Sequence, residues 1–138
     1  MADKIARAML AAEGTGPAWG IVIEEAREGY ARIRMTVTAA MLNGHGTAHG
    51  GIVFALADTA FAYACNSRNL RTVAAHASIA FLEPARAGDL LVAEARERSL
   101  VGRSGVYDVS VRSGDGRAIA EFTGLSRSIG GTIIGDSE

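Results

Sequence analysis

An almost wholly apolar segment in the middle of the chain is the feature that most restricts what this sequence can fold into. Residues 50–67 contain no proline, are rich in alanine, and are hydrophobic around nearly the whole circumference of a helix. A helix of that kind is buried on most of its sides. A strongly curved antiparallel sheet can cover more than one side of it, and a partner subunit can cover the remainder.

Alternating apolar and polar residues on both sides of this helix predict strands. The predicted strands are 19–26, 30–38, 71–82, 89–98, 104–113 and 117–128. Gly29 between the first two indicates a hairpin. A short amphipathic helix is predicted over 3–13, ended by glycines and by Pro17. This order predicts an α+β fold in which a curved antiparallel sheet wraps around a long central helix.

The composition is typical of one ordinary domain. The chain has 138 residues and no repeat or linker divides it, so we expect a single domain over residues 1–138. The net charge is −1 and the basic residues are scattered, which gives no support for a nucleic-acid or membrane partner. Charges interrupt the N-terminal segment and no stretch is long enough to span a bilayer, so we expect a cytoplasmic protein.

Asp58 is the one charged side chain within the apolar segment. A structural interpretation pairs it with Arg68 or Arg71, since buried charges are usually paired. Its neighbours three and four residues away on the helix are apolar: Phe54, Ala55, Phe61 and Ala62. They offer no partner on the helix itself, and desolvation by the two phenylalanines would raise the pKa of the carboxyl. Asp58 is therefore a candidate general base or nucleophile.

The start of the same helix has a chemistry of its own. It begins with Gly50-Gly51 directly after a loop rich in glycine, histidine and asparagine. The first N–H groups of a helix lack partners and carry partial positive charge. Both glycine amides are candidates for an oxyanion hole; the alternative is that the glycines only permit a tight turn.

The spacing of these two features predicts a shared site. Gly51 and Asp58 are separated by roughly 10 Å along a helix axis. A reacting carbonyl needs its oxygen donor and its base or nucleophile each within about 3 Å. Antiparallel helices from two subunits related by a two-fold axis could meet this need, with the helix start from one chain and Asp58 from the other.

Several motifs give the chain a family resemblance. It resembles the hotdog-fold acyl-CoA thioesterases, closest to the PaaI type, the thioesterases of phenylacetate degradation. The resemblance rests first on residues 43–45 (NGH), 49–51 (HGG) and 56–62 (LADTAFA). It continues through residues 81–84 (FLEP), 87–89 (AGD), 105–108 (GVYD) and 129–133 (IGGTI).

The resemblance implies a hotdog fold assembled as a homodimer with shared sites, and commonly as a homotetramer that is a dimer of dimers. It implies hydrolysis of aryl- or arylacetyl-CoA thioesters, with phenylacetyl-CoA and hydroxylated phenylacetyl-CoA as the expected substrates. No metal or redox cofactor is expected, because CoA is itself part of the substrate. Benzoyl and medium-chain acyl groups stay open as alternatives.

The resemblance also implies roles for individual residues. Asp58 would act as general base or nucleophile, and the Gly50 amide would polarise the thioester carbonyl. Asn43 and His49 would position water and the loop. The candidates for substrate contacts are Gly51, Thr59 and Phe61. A hydroxyl, from Thr59 or from a partner chain, could hold the pKa of Asp58 below neutral.

Two other functions remain open from the sequence. An acyl-CoA hydratase or dehydratase would use the same fold and pair a histidine such as His49 with a carboxylate. A non-catalytic acyl-CoA sensor would normally need an output domain, for which the chain has no space.

Cys65 is expected to be a small core residue, and the histidines lack metal-ligand spacing.

A set of arginines and the C-terminal tail are candidates for contacts with CoA. Five arginines could reach its phosphates by charge, although none is assigned: Arg68, Arg71, Arg86, Arg103 and Arg127. The tail from Ile129 to Glu138 lacks periodicity and is expected to be mobile or to edge the CoA entrance.

Overall fold

The structure, a computed structural model, describes residues 1–135 and is built from one curved sheet and one long helix. The helices are α1 (Ala2–Ala12), α2 (Thr15–Trp19) and α3 (Gly50–Cys65). The strands are β1 (Val22–Arg27), β2 (Tyr30–Thr36), β3 (Thr72–Phe81), β4 (Leu90–Val101), β5 (Ser104–Ser113) and β6 (Ala118–Ser128). The predicted α+β architecture is confirmed, with all six strands in the expected order.

The six strands form one antiparallel sheet in the order β1-β2-β4-β5-β6-β3. The hairpin predicted at Gly29 is present, with Arg27 opposite Tyr30 and Gly29 at φ +70°. β3 is an edge strand, and within residues 1–135 it pairs only with β6. It leaves large apolar side chains exposed, among them Val73 at 45% and Phe81 at 56%.

The core lies between α3 and the concave face of the sheet. Alanines on α3, including Ala57 and Ala60, are fully buried and let the helix approach the strands closely. Phe61 lies directly over Gly124 of β6, where a Cβ atom would come within 2.7 Å of the ring. A glycine is therefore required at position 124 to admit the Phe61 ring.

The N-terminal region contains one helix that the sequence pattern missed. α2 occupies Thr15–Trp19, where Gly14, Gly16 and Pro17 predicted only a break. Pro17 is compatible with it because the N–H groups of the first turn have no helical acceptor. The left-handed residue Gly20 ends the helix, and β1 starts at Val22 rather than at the predicted position 19.

The described part of the C-terminal tail is held against the segment that follows α3. The Asn69 side chain accepts hydrogen bonds from the amides of Ile133 and Ile134, each at 3.0 Å. Arg71 donates to the carbonyl of Thr132 at 3.0 Å. The expectation for the tail also covered residues 136–138, which lie outside the described residues.

Candidate active site

The loop before α3 is shaped by the side chain of Asn43. Its carboxamide oxygen accepts hydrogen bonds from the amide of His45 at 2.9 Å and the amide of Thr47 at 3.2 Å. Asparagine commonly organises turns in this way. The Nδ2 group of Asn43 makes no hydrogen bond within residues 1–135, so it is free to donate to a bound molecule.

His49 caps the first turn of α3. Its Nδ1 atom accepts a hydrogen bond from the Gly51 amide at 3.0 Å. In the neutral imidazole this leaves the proton on Nε2, and the exposed side chain is therefore a hydrogen-bond donor at Nε2. The same hydrogen bond corrects the expectation of two oxyanion donors, because the Gly51 amide already donates to His49.

The Gly50 amide is the remaining donor at the helix start. No atom within residues 1–135 accepts a hydrogen bond from it. Gly50 lines a cavity of about 290 Å³ that also contacts the side of α3, the end of β3 and the start of β6. The cavity is lined by Asn43, Thr47, Ala48, Gly50, Val53, Phe81, Leu82, Glu83, Pro84, Ala85 and Ile119. The structure thus brings Gly50 and Asn43 together at one cavity.

Most of the apolar lining of this cavity was not assigned from the sequence. Phe81 and Leu82 belong to the FLEP motif that supports the family resemblance, but the motif alone does not predict that they contact substrate. Alternation along β3 predicts that Phe81 lies on the same face of the strand as Ile79. It does not predict which cavity that face lines. Val53 and Ile119 come from separate elements, so no local pattern groups them.

Asp58 lies on the same helix but away from this cavity, on a half-buried part of α3. Burial raises the pKa of its carboxyl above the usual range, which confirms the expected desolvation. Its carboxylate accepts no hydrogen bond within residues 1–135. The structural pairing is not formed, because Arg68 binds Glu97 at 2.7 Å and Arg71 binds the tail.

Thr59 and Phe61, the neighbours of Asp58, both make contacts within the chain, and their expected contacts with substrate stay a prediction. The Thr59 hydroxyl donates to the carbonyl of Ala55 at 2.7 Å, so its proton is not available to the Asp58 carboxylate. The Phe61 side chain is 1% exposed and packs edge-on against Tyr107, at 5.5 Å between ring centroids. Within this chain Phe61 is a core residue and does not line the cavity beside Gly50.

Cys65 is a buried core residue, as expected. Burial, with a further contribution from the Asp58 charge, raises the pKa of its thiol to about 12. The thiol therefore stays protonated near neutral pH and is a poor nucleophile.

No cluster of three or more His, Cys, Asp or Glu side chains in the described part of the chain could hold a metal ion. The expected lack of a cofactor stays a prediction. Among the described residues, 1–135, no helix combines the length and apolarity needed to cross a membrane.

Comparison with known proteins assigns the family. Residues 45–120, more than half of the chain, match the thioesterase superfamily. The acyl-coenzyme A thioesterase PaaI of Escherichia coli strain K12 is 48% identical over 132 residues, covering 96% of this chain and 94% of that protein. The chain therefore belongs to the thioesterase superfamily, as an acyl-CoA thioesterase of the PaaI type.

Solved structures agree with this assignment. The E. coli PaaI protein from the phenylacetic acid degradation operon matches with a TM-score of 0.93 at 48% identity, over 95% of both chains. The TT0310 protein of Thermus thermophilus matches with a TM-score of 0.81 at 38% identity, over 85% of this chain and 98% of that one. A Streptococcus mutans protein bound to acetyl CoA matches with a TM-score of 0.78 at 25% identity, over 81% and 90%. The hotdog fold is confirmed, and thioester hydrolysis is favoured over the hydratase and sensor alternatives.

Proposed function

We propose that this thioesterase hydrolyses phenylacetyl-CoA or hydroxylated phenylacetyl-CoA to the free acid and CoA. The observation that carries the proposal is the unpartnered Gly50 amide beside a cavity with apolar walls, including Val53, Phe81 and Ile119. Such walls suit an aromatic acyl group, and the amide suits its carbonyl oxygen. The phenylacetic acid operon that gives the E. coli structure its description supports the same substrate class.

In this proposal the Gly50 amide donates a hydrogen bond to the thioester oxygen and stabilises the tetrahedral oxyanion by ~3 kcal/mol. The ionised Asp58 either takes a proton from an attacking water or attacks the carbonyl carbon itself. In the first route the new C–O bond comes from water and the C–S bond to CoA breaks. In the second, the C–S bond breaks as Asp58 attacks, CoA leaves as the thiolate and an acyl–Asp58 anhydride forms. Water then cleaves the anhydride to the free acid and restores the Asp58 carboxylate. The free donors on Asn43 and His49 are suited to orienting that water.

We further propose that the two halves of the site come from two subunits of a homodimer. Three observations support this arrangement. Gly50 and Asp58 are about 12 Å apart along α3, too far for one carbonyl. Asp58 has no hydrogen-bond or ion-pair partner within residues 1–135, and the edge of β3 that is unpaired in the same residues is available to pair with a second copy. A homotetramer, as a dimer of such dimers, remains part of the proposal.

A panel of acyl-CoA substrates tests the proposed substrate class. Release of free CoA is followed with a thiol reagent for phenylacetyl, hydroxyphenylacetyl, benzoyl, acetyl and octanoyl thioesters. The expected result is the highest kcat/KM for the two phenylacetyl compounds. An equal or higher kcat/KM with acetyl-CoA or octanoyl-CoA would overturn the substrate class while leaving thioester hydrolysis intact.

A further inference from the structure

The turn that forms one wall of the site cavity is held by an arginine from a different part of the chain. Arg117 lies between the β5–β6 turn and the first residue of β6. Its guanidinium donates to the carbonyl of Pro84 at 3.1 Å and to the carboxylate of Asp89 at 2.9 Å. It also binds Asp115 at 3.2 Å. One side chain therefore connects the β5–β6 turn to both ends of the segment 84–89.

The segment held by Arg117 is bonded directly to the loop that leads into α3. The carbonyl of Ala85, next to Pro84, accepts a hydrogen bond from the Ala48 amide at 2.7 Å. Ala48 is followed by His49, the cap of α3, and then by Gly50. The Pro84–Ala85 step thus links Arg117 to the oxyanion donor through two hydrogen bonds, one to the Pro84 carbonyl and one from the Ala48 amide, two residues before Gly50.

The other end of the segment is fixed to Val37, the residue that follows β2 and precedes the site loop. The Asp89 carbonyl accepts from the Val37 amide at 2.9 Å, and the Gly88 amide donates to the Val37 carbonyl at 2.8 Å. The Asp89 side chain accepts from the Arg86 amide as well as from Arg117, and these two bonds lower the pKa of its carboxyl. Asp89 is therefore a fixed anchor for the guanidinium.

Arginine is suited to this position because its planar fork can donate to several acceptors at once. A single exposed ion pair contributes little to stability, and both Arg117 and Asp89 are partly exposed to solvent. The bond to the Pro84 carbonyl does something an ion pair does not: it fixes the backbone at the cavity wall.

We propose that Arg117 is a positioning residue for thioester hydrolysis, acting through Pro84 and Ala85 on the Gly50 amide. This inference rests on the proposed role of Gly50. Displacement of a donor by a fraction of an ångström weakens its bond to the developing oxyanion, since catalytic donors must be placed before the reaction. The fork geometry predicts that lysine, which retains the charge, replaces arginine only in part.

The test measures kcat and KM for Arg117→Ala, Arg117→Lys and the matched control Arg98→Ala. Arg98 makes a two-bond ion pair with Asp108 near the far end of β4, away from the cavity. The expected result is a fall of about tenfold in kcat/KM for Arg117→Ala. Arg117→Lys should fall between it and the wild type, and Arg98→Ala should match the wild type. Full activity of Arg117→Ala would overturn the inference.

A double-mutant cycle separates positioning from a purely structural role. The Arg117→Ala effect is measured again in a Gly50→Pro background, in which the amide proton is absent. If Arg117 acts through that amide, its effect on kcat shrinks in this background. An equal loss in both backgrounds would overturn the inference. Gly50→Pro alone tests the proposed function separately, since undiminished activity of that variant would refute the oxyanion role itself.

Discussion

The Gly50 amide and the Asp58 carboxyl group lie on one uninterrupted helix, eight residues apart. An ideal helix places them about 12 Å apart along its axis and turned by about 80° around it. Gly50 lines the cavity between the site loop and the end of β3, whereas Asp58 does not. The two groups of highest chemical interest in this chain therefore cannot act on the same carbonyl within one subunit.

Substitutions at Gly50 test the oxyanion donor. Proline removes the N–H but is tolerated at the first position of a helix, so Gly50→Pro should lower kcat by about 100-fold or more. Gly50→Ala is the matched control, since it adds the same Cβ near the Phe81 ring, at 3.2 Å, and keeps the N–H. Steady-state kinetics should show the alanine variant much closer to wild type. Equal losses in both variants would implicate the Cβ instead of the amide.

Asp58→Asn should abolish most of the activity and also stabilise the protein at neutral pH. Burial raises the pKa of this carboxyl in the folded chain, so ionising Asp58 costs stability at pH values above that pKa. The cost declines as the pH falls towards the usual value of 3.8 and is absent below it. Thermal unfolding should therefore show a higher Tm for the asparagine variant at pH 7 and no difference below pH 3.8. A lower Tm at pH 7 would contradict this account.

The same raised pKa predicts the acidic side of the activity profile. The wild-type rate should fall with decreasing pH at a value above that of an ordinary aspartate, because only the ionised carboxylate reacts. A pH series of kcat/KM measures this value, and a fall only at the pH of an ordinary aspartate would contradict the role of the buried carboxyl.

His49 combines a structural and a chemical task that two variants can separate. His49→Ala removes the acceptor of the Gly51 amide and should destabilise the protein by ~1 kcal/mol in denaturant unfolding. His49→Asn keeps a cap acceptor and should restore most of that stability. Neither variant supplies the Nε2 donor, so both should have lower kcat/KM. Wild-type activity of the asparagine variant would limit His49 to capping.

The contact between Phe61 and Gly124 predicts a large effect on stability. Gly124→Ala places a methyl group within 2.7 Å of a ring that is 1% exposed, and it should destabilise the protein by about 1–3 kcal/mol. Gly14→Ala is the control, because its Cβ would meet no atom within 4 Å. Urea unfolding of both variants measures the difference. Equal stability would mean that the core accommodates the methyl group.

The sequence predicts the fold well because its signals are local. Alternation and turns locate the six strands, and the apolar segment locates α3. The short helix α2 is not predicted, because Pro17 and the flanking glycines indicate a break, although proline is acceptable in a first turn.

The candidate site could be predicted only in part. Asp58, His49 and Gly50 lie on one helix or beside it, so their spacing could be interpreted directly. The hydrogen bond from the Gly51 amide to His49 and the burial of Phe61 depend on side-chain conformation and packing, which residue spacing does not predict. The hydrogen bonds from Arg117 to Pro84 and Asp89 join turns that lie far apart in the chain, so no local pattern predicts them.

Subunit complementation tests the shared site most directly. Asp58→Asn and Gly50→Pro chains are each nearly inactive in this account, and they are unfolded together in equal amounts and refolded. Half of the dimers are then mixed, and each mixed dimer has one site with both groups intact, so about a quarter of the wild-type activity should return. Refolding each variant alone is the control. If the co-refolded mixture forms mixed dimers but stays as inactive as its parents, the claim that two subunits share each site is contradicted.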